Sequence, residues 1–492
     1  MPLDRLRFRL RRSVLRAALA GVTAVASATT FAACATNPVT GRRELALVSE
    51  AQEIEMGQQG AQEVERSIGL VQDQALQDYV QRIGAALAAR SQRPNLPWRF
   101  RVVDDPTPNA FALPGGFIYV TRGLLALMQN EAELASVLGH EIGHVTARHS
   151  VQQISRQQVA QLGLGVGAIL SPTVAQLGDL AGTGLGLLFL KYGRDDERQA
   201  DQLGFDYALA LRYDVREMAD VFEQLRRAGE AAGASPVPSW ASTHPDPGER
   251  AQTAARRAAE ATVPVSQLRD GAREFLARID GLTYGEDPRD GYFRNGRFVH
   301  PTLRFTLALP QGWRAQNTPQ AVIASSPQQD AAMQLTLAQG GSPEQAARAF
   351  LSQQGIRPGQ ATSVTVNGVP AVASYFEAAA EQGTITGFVA FFGHGGRTYQ
   401  VLGYAPSQRF GAYDQIVRAS VGSFAPLTDP ALIDVQPTRL DVVTLPAPTT
   451  PAELARRYPS APAELLALLN QAPSVTTAIP AGAAKVVVRG GA

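Results

Sequence analysis

The chain of 492 residues contains a single cysteine, and that scarcity excludes two architectures at once. A disulfide framework needs paired thiols, and a structural zinc site built on cysteine needs more of them than are present. Any metal must therefore be held by histidine and carboxylate, and only six histidines are available for it. Charge of one sign is also lacking, since 45 basic residues stand against 44 acidic ones for a formal net charge of +1. Phosphate neutralisation needs a basic surface, so a dedicated nucleic-acid binder is excluded. Low hydrophobicity is absent too, because 45% of the residues are hydrophobic, and the length calls for several domains.

Long apolar runs are scarce, and the first of them lies at the amino terminus. Arg5, Arg7, Arg9, Arg11, Arg12 and Arg16 precede an uncharged small-residue stretch from Ala17 to Ala33. This is the layout of a signal peptide, and the stretch is marginal in length and hydrophobicity for a stable membrane span. It ends in Phe31-Ala32-Ala33-Cys34, which resembles a bacterial lipobox. The resemblance implies cleavage before Cys34, acylation of its thiol and stable anchoring by two or three acyl chains. Ala35 is not acidic, which in that lipoprotein class implies the periplasmic face of the outer membrane. Arg11-Arg12 faintly resembles a twin-arginine export signal, so the export route stays open. Removing residues 1–33 takes away six Arg and one Asp, leaving 39 basic and 43 acidic residues and a mature charge of −4.

Further along, apolar residues recur at helical spacing from Ser49 to Arg90, which predicts two amphipathic helices. Phe100 to Val103, Ala110 to Leu113 and Phe117 to Val120 read as short strands between Pro and Gly punctuation. Asn130 with Glu133 predicts a capping box opening one helix to about Gln153. Residues 160–190 are Gly-rich and apolar with Asp179 as the single charge, which predicts a buried or membrane-facing helical hairpin over the site. Helices are expected from Arg194 to about Arg227 and near Glu249 to Ala261. Beyond Asp287 the pattern changes to alternating strands with a helix near Pro343 to Gln353. The fold class expected is α+β multidomain: a signal peptide at 1–33, a mostly helical domain with a small sheet at 34–285, an α+β accessory domain at 286–430, and a hinge plus small module at 431–492.

His140-Glu141-Ile142-Gly143-His144 is an HExxH pattern on a predicted helix. Two histidines four positions apart lie about 40° apart around a helix, so both imidazoles reach one ion from one face. Glu141 lies about 100° away, where a carboxylate can touch a water beside the ion without ligating it. With ordinary residue frequencies a chance HExxH is expected only about 0.004 times in such a chain, so the pattern is taken as a zinc site. A third protein ligand is required, and Glu197 in Glu197-Arg198-Gln199-Ala200-Asp201 is the best candidate. Asp201, one turn on, is placed to accept a hydrogen bond from a ligating imidazole, and Ala200 would permit close helix packing. His149 falls about 140° off the ligand face of a continuous helix and is read as a packing or surface residue. His300 and His394, without His or carboxylate neighbours at ligand spacing, are read as surface or turn residues.

Together with Asn109-Ala110-Phe111-Ala112-Leu113-Pro114-Gly115-Gly116 and His244-Pro245-Asp246-Pro247-Gly248-Glu249-Arg250, these motifs resemble the HExxH zinc endopeptidases that include HtpX, the CAAX prenyl protease and the BepA-type periplasmic lipoproteins. The resemblance covers about residues 38–265. It implies a gluzincin-like peptidase domain, one Zn2+ per chain on His140, His144 and Glu197, Glu141 as general base and Asp201 behind the ligands. It further implies an edge strand at Asn109, Ala110, Phe111 and Ala112 that pairs with an extended substrate. His244 and Arg250 would either face the ion and stabilise the oxyanion, or His244 would take the fourth coordination position in a latent state; by sequence alone His244 before Pro245 is a turn residue. The implied substrates are misfolded or unassembled envelope proteins.

The carboxyl half carries fainter likenesses. Phe298-Val299-His300-Pro301 and Leu309-Pro310-Gln311-Gly312-Trp313 are similar to the small α+β fold of PsbP and Mog-type proteins. Ala452 to Tyr458, Leu468-Leu469-Asn470 and Val486-Val487-Val488 resemble a degenerate LysM module, which implies peptidoglycan as a partner. The rival reading is thus a latent protease domain acting mainly as a chaperone, scaffold or peptidoglycan-binding envelope protein. The tetratricopeptide repeats expected of a BepA-type carboxyl end are not evident.

Overall fold

The computed structural model describes residues 34–163, 191–232, 240–318, 320–338, 340–380 and 383–489. The chain divides into two compact units, one running to Leu282 and including Leu440–Val487, the other formed by Thr283–Arg439 with the last residues. The architecture is α+β and multidomain, as the patterning predicts. Among the described residues no helix is long and apolar enough to cross a membrane. The predicted signal segment, and the predicted hairpin beyond Gly163, lie outside the described residues.

The first unit begins with a small hairpin of β1 (Cys34–Thr36) and β2 (Arg43–Leu45). Helix α1 (Glu50–Ser67) opens on a capping box between Ser49 and Gln52, and α2 (Gln74–Ala88) starts at Asp73, whose carboxylate accepts the Leu76 amide. Strands β3 (Arg99–Val103), β4 (Ala110–Leu113) and β5 (Phe117–Thr121) form a sheet in the order β3-β5-β4, with β3 parallel and β4 antiparallel to β5. Strand β4 is consequently an edge, and it packs against the helix that bears the HExxH pattern. Helix α3 (Arg122–Leu127) leads into that helix, α4 (Glu131–Thr146), whose every residue is buried.

The single helix expected as far as Gln153 is two. Helix α4 stops at Thr146, Arg148 takes a left-handed conformation at φ 61°, and α5 (His149–Gly163) starts afresh. A non-glycine residue in that region is strained by about 1 kcal/mol and persists only where its surroundings hold it. Here the Arg148 guanidinium donates to Glu53 Oε2 at 2.9 Å and to the Val48 carbonyl at 2.8 Å. Arg93 donates to both oxygens of the same Glu53 and to the Val145 carbonyl at 3.0 Å, satisfying an end-of-helix acceptor. The expected capping box is also modified: Asn130 Oδ1 accepts the Glu133 amide, but the Glu133 carboxylate takes the amide of Gln129 rather than that of Asn130.

The unit continues with α6 (Arg194–Ala210), α7 (Glu217–Ala232), α8 (Trp240–Thr243), α9 (Pro247–Glu260) and α10 (Ala272–Ile279). Helices α4 and α6 meet at backbone contact because the residues between them are small. A Cβ added to Gly143 would lie 2.9 Å from the Ala200 backbone, and one added to Gly204 would lie 2.6 Å from the His140 amide nitrogen. No side chain larger than a hydrogen fits there, and this close approach carries Glu197 to the histidines.

In the second unit β6 (Tyr292–Arg294), β7 (Arg297–His300) and β8 (Phe305–Ala308) begin a four-stranded sheet. An eight-stranded sheet follows from β9 (Arg314–Asn317), β10 (Ala321–Ser325), β11 (Ala332–Leu337), then α11 (Pro343–Leu351), β12 (Ile356–Pro358), β13 (Thr362–Val366), β14 (Val369–Ala380), β15 (Gly383–His394) and β16 (Arg397–Pro406). Its path is β12-β14-β15-β16-β11-β10-β9, with β13 also on β14 and every pairing antiparallel. Period-two alternation builds a core on each face. Ala390, Phe392 and Val401 pack with Val417 of α12 (Ser407–Val421), while Val389, Phe391 and Leu402 pack with Ala346 and Ala347 of α11. Strand β17 (Ala425–Pro426) completes the smaller sheet on β8, and the short α13 (Pro430–Ile433) follows.

The final segment runs β18 (Thr438–Leu445), α14 (Pro451–Arg457), α15 (Ala463–Leu469) and β19 (Gly482–Arg489), the two strands pairing with each other. It groups with the first unit, from Leu440 to Val487, although its sequence suggests a module of its own. Lys485 on β19 is fully buried and donates 2.8 Å hydrogen bonds to the Ala126 and Met128 carbonyls at the end of α3, while Gln471 donates to Glu133 on α4 at 2.6 Å.

Candidate metal centre

His140 and His144 project from one face of α4, with their Nε2 atoms 2.9 Å apart. Glu197, in the first turn of α6, brings Oε2 to 3.6 Å from His140 Nε2 and Oε1 to 3.5 Å from His144 Nε2. His244, after the short α8, places Nδ1 3.3 Å from His140 Nε2 and 3.0 Å from Glu197 Oε1. One ligand atom from each of the four lies within 4.8 Å of the others, and all four residues are buried. A tetrahedral zinc ion with bonds of about 2.0–2.2 Å needs ligand atoms spaced about 3.3 Å apart, and the distances here bracket that value.

The remaining nitrogens agree with this direction of the lone pairs. His140 Nδ1 is 2.8 Å from Asp201 Oδ1, so the carboxylate fixes the proton on Nδ1 and leaves Nε2 free to ligate. Burial, with the nearby Arg250 and His144, lowers the His140 pKa to about 3, which keeps the ring a neutral donor. Burial opposes ionisation of Glu197, yet His244 and Arg250 hold its carboxyl well below the usual range. Asp201 is likewise held down to about 2: burial works against it, and Arg250 and the His140 hydrogen bond outweigh burial. Glu141 differs. Its two oxygens are fully buried without a hydrogen-bond partner among the described residues, and burial pushes its pKa up to about 7. A buried carboxylate left without donors, 3.7 Å from His244 Nε2, fits a site made to receive a further polar group.

Arg250 does not point into open space. Its Nε and Nη2 donate to the two oxygens of Asp201 at 2.9 and 2.7 Å, and Nη1 lies 2.8 Å from Glu197 Oε2. A guanidinium this deeply buried requires counter-charges, and the two carboxylates supply them. Arg250 thus braces both acidic residues, and its Nη2 also lies 3.5 Å from His140 Nε2. Asn109, Ala110, Phe111 and Ala112 lie at or on the edge strand β4, with Phe111 stacked on Tyr119 at 5.2 Å.

His149 is the residue that helical periodicity misplaces. It is buried, and its Nδ1 stands 2.9 Å from His144 Nδ1. The break at Arg148 removes the assumption of a continuous helix and swings the ring back to α4. Tyr192 and Trp240 were likewise not singled out from sequence. Tyr192 stacks on His144 at 3.8 Å, and Trp240 stacks on His244 at 4.0 Å. An aromatic residue carries no spacing signal toward a site formed by other elements. His300 in the second unit is half-buried and held to about 4 by burial and by Arg397, and His394 Nε2 lies 2.8 Å from the Arg304 carbonyl.

The family model of Peptidase family M48 matches residues 74–258. Over 284 residues the chain is 30% identical to the beta-barrel assembly-enhancing protease of Escherichia coli (strain K12), covering 56% of this chain and 58% of that protein. It is 32% identical over 219 residues to the mitochondrial metalloendopeptidase OMA1 of Schizosaccharomyces pombe, covering 43% of this chain and 63% of that protein. The chain therefore spans less than two thirds of the length of these curated relatives. Among solved structures, cyanobacterial PsbP from Synechocystis sp. PCC 6803 aligns with 26% of this chain and 91% of its own at 11% identity and a TM-score of 0.23. The HExxH pair and the third carboxylate fall inside the segment, residues 74–258, that is similar to Peptidase family M48.

Proposed function

We propose that the protein is a zinc-dependent endopeptidase of the bacterial envelope. The observation that carries this is the convergence of His140, His144 and Glu197 on one point beside the donor-free carboxylate of Glu141. His140, His144 and Glu197 would hold the ion. Zinc bound there supplies a Lewis acid for the scissile carbonyl and makes an adjacent water more acidic. Glu141, kept near neutrality by burial, takes the proton from the attacking water and delivers it to the leaving amine. Asp201 holds His140 in its ligating tautomer, and Arg250 keeps Asp201 and Glu197 ionised. We assign Asn109, Ala110, Phe111 and Ala112, at and on the edge strand β4, to pairing with an extended substrate backbone, which positions a peptide with little demand on its side chains.

His244 Nδ1 stands where a fourth ligand would, and this supports a latent form in which His244 closes the centre until it moves aside to stabilise the oxyanion. The substrates we assign are misfolded or unassembled envelope proteins, by analogy with the relatives named for β-barrel assembly. We assign Cys34 as the lipid attachment site, which places the protein at the periplasmic face of the outer membrane. The strand-helix-helix-strand order of the last segment is in keeping with a LysM-like, glycan-binding role, and the accessory unit is read as PsbP-like.

Glu141→Gln decides the main reading. The variant is expected to retain stoichiometric zinc while its cleavage of casein falls by at least about 1000-fold, and a fully active Glu141→Gln protein would overturn the assignment. Loss of envelope binding to isolated peptidoglycan on deletion of residues 431–492 checks the glycan role.

A further inference from the structure

One ring off the ligand face, that of His149, has well-defined partners that the catalytic reading leaves unused. His149 Nδ1 is 2.9 Å from His144 Nδ1, and His149 Nε2 is 2.9 Å from Gln199 Oε1. Asp196 Oδ1 stands farther off, 3.8 Å from the same Nε2. The proton positions follow from one requirement. If His144 ligates through Nε2, its neutral ring carries hydrogen on Nδ1 and donates it to His149 Nδ1. His149 must then accept at Nδ1, so its hydrogen sits on Nε2 and is donated to Gln199. The amide oxygen of Gln199 is the acceptor that this tautomer needs. Every link in the line from Gln199 through His149 to His144 has one donor and one acceptor.

From this arrangement we infer that His149, seated by Gln199, is a positioning residue that fixes the tautomer and ring plane of His144 for metal binding. It does for His144 with a neutral imidazole what Asp201 does for His140 with a carboxylate. The two ligating histidines are therefore held unequally, one by a charge and one by a neutral ring whose location depends on the left-handed Arg148. Arg148 is itself held by Glu53, 95 residues away in sequence, and Gln199 sits on α6 beside the third ligand, Glu197. The relay thus couples the ligand geometry to α1 through Glu53 and to α6 through Gln199. The inference rests on the zinc reading above, and the experiment separates the two.

Zinc affinity is measured by competition with a chromogenic chelator, alongside the visible spectrum of the cobalt-substituted protein and the melting temperature of the metal-free protein. His149→Phe keeps the ring and removes the acceptor, and it is expected to weaken zinc binding by about 10- to 100-fold and to alter the cobalt bands. His149→Asn places an oxygen near the lost Nδ1 and should recover most of that affinity. Gln199→Leu, which removes only the outer acceptor, should weaken binding by a smaller factor. Equal metal-free melting temperatures would assign the loss to ligand positioning. Zinc binding by His149→Phe within twofold of the unsubstituted protein would overturn the relay; should that variant not fold, unchanged affinity in Gln199→Leu would do so. His144→Ala is the separate control: if it binds zinc undiminished, the metal centre itself has been misread, whereas its failure to bind with an intact His149→Phe rejects the relay alone.

Discussion

The two units bury opposite kinds of side chain. The first encloses Glu53, Arg93, Glu131, Glu133, Glu141, Glu197, Arg250 and Lys485, together with His140, His144, His149 and His244. Among the described residues of the second, Asp287 is the one buried charged residue, and the interior is a stack of Phe305, Phe392, Tyr399 and Phe424 against aliphatic neighbours. An apolar core is stabilised by area and shape, and a misfit can be shared among many contacts. A charged core is stabilised only while each group keeps its partner, so a single loss leaves a full desolvation penalty behind. The first unit accepts that fragility because a metal site must set donors at fixed positions away from water.

The sharpest way to break the comparison is a paired set of truncations. Lys485→Met in the first unit and Phe424→Ala in the second are each expected to cost about 3–5 kcal/mol in chemical denaturation. Their response to a conservative exchange should differ. Lys485→Arg, which keeps donors for the buried Ala126 and Met128 carbonyls, should retain much of the stability that Lys485→Met loses, and no polar exchange at Phe424 should do better than Phe424→Ala. A Lys485→Arg protein no more stable than Lys485→Met would remove the distinction.

Overpacking gives a smaller contrast. A Cβ at Gly143 meets the Ala200 backbone at 2.9 Å, whereas one at Gly403 in the second unit meets the Val417 side chain at 2.6 Å. Backbone cannot rotate away and a side chain can. Gly143→Ala should therefore cost about 1–3 kcal/mol and reduce zinc affinity by parting α4 from α6, with Gly403→Ala at or below the low end of that range. Comparable losses at both positions would contradict the backbone argument.

Acid separates the units by size rather than by sign. His140 and His149 have folded pKa values near 3 and 4 against 6.5 for a free imidazole, in both cases chiefly through burial. The unfolded chain takes up protons first, so their contribution is whole above pH 6.5 and is lost as the pH falls toward 4 and 3. Asp201, held to about 2, adds a loss below the ordinary 3.8. In the second unit His300, held to about 4, acts in the same direction alone among the described histidines. Metal-free protein followed by Trp98 and Trp240 emission in a Trp313→Phe background should unfold at higher pH than Trp313 reports in a Trp98→Phe/Trp240→Phe background. The reverse order would refute the assignment. The smallest effect is expected at the surface: Arg357→Ala, losing an exposed pair with Glu377, should change stability by no more than about 0.5 kcal/mol.

How much of this was legible in the sequence follows from which interactions are local. His140, Glu141 and His144 share one helix, Asp201 lies one turn from Glu197, and Ala200 marks the close packing; periodicity conveys all of these. His149 was misplaced because the chain turns at Arg148, where neither glycine nor proline announces a break and the anchoring Glu53 belongs to α1. The docking of the last segment was missed for the same reason, since Lys485 meets its acceptors, Ala126 and Met128, only in the folded chain. One hint was present: the sequence has two lysines, and this one stands between Ala484 and Val486 in an apolar run, an unusual place for a solvated charge.

The amino-terminal hairpin has a mechanical consequence. Asn37 donates to the Ala147 carbonyl at 3.2 Å, and the Leu47 amide donates to Ser155 Oγ at 3.0 Å, so the hairpin is fastened on either side of Arg148, to the end of α4 and to α5. From Cys34 to Asn37 is three residues, a leash of about 10 Å at full extension. With a lipid on Cys34 as proposed, the enzyme would have no slack. It would work flush with the bilayer surface, and its reach would be set by the thickness of its own body rather than by a flexible tether.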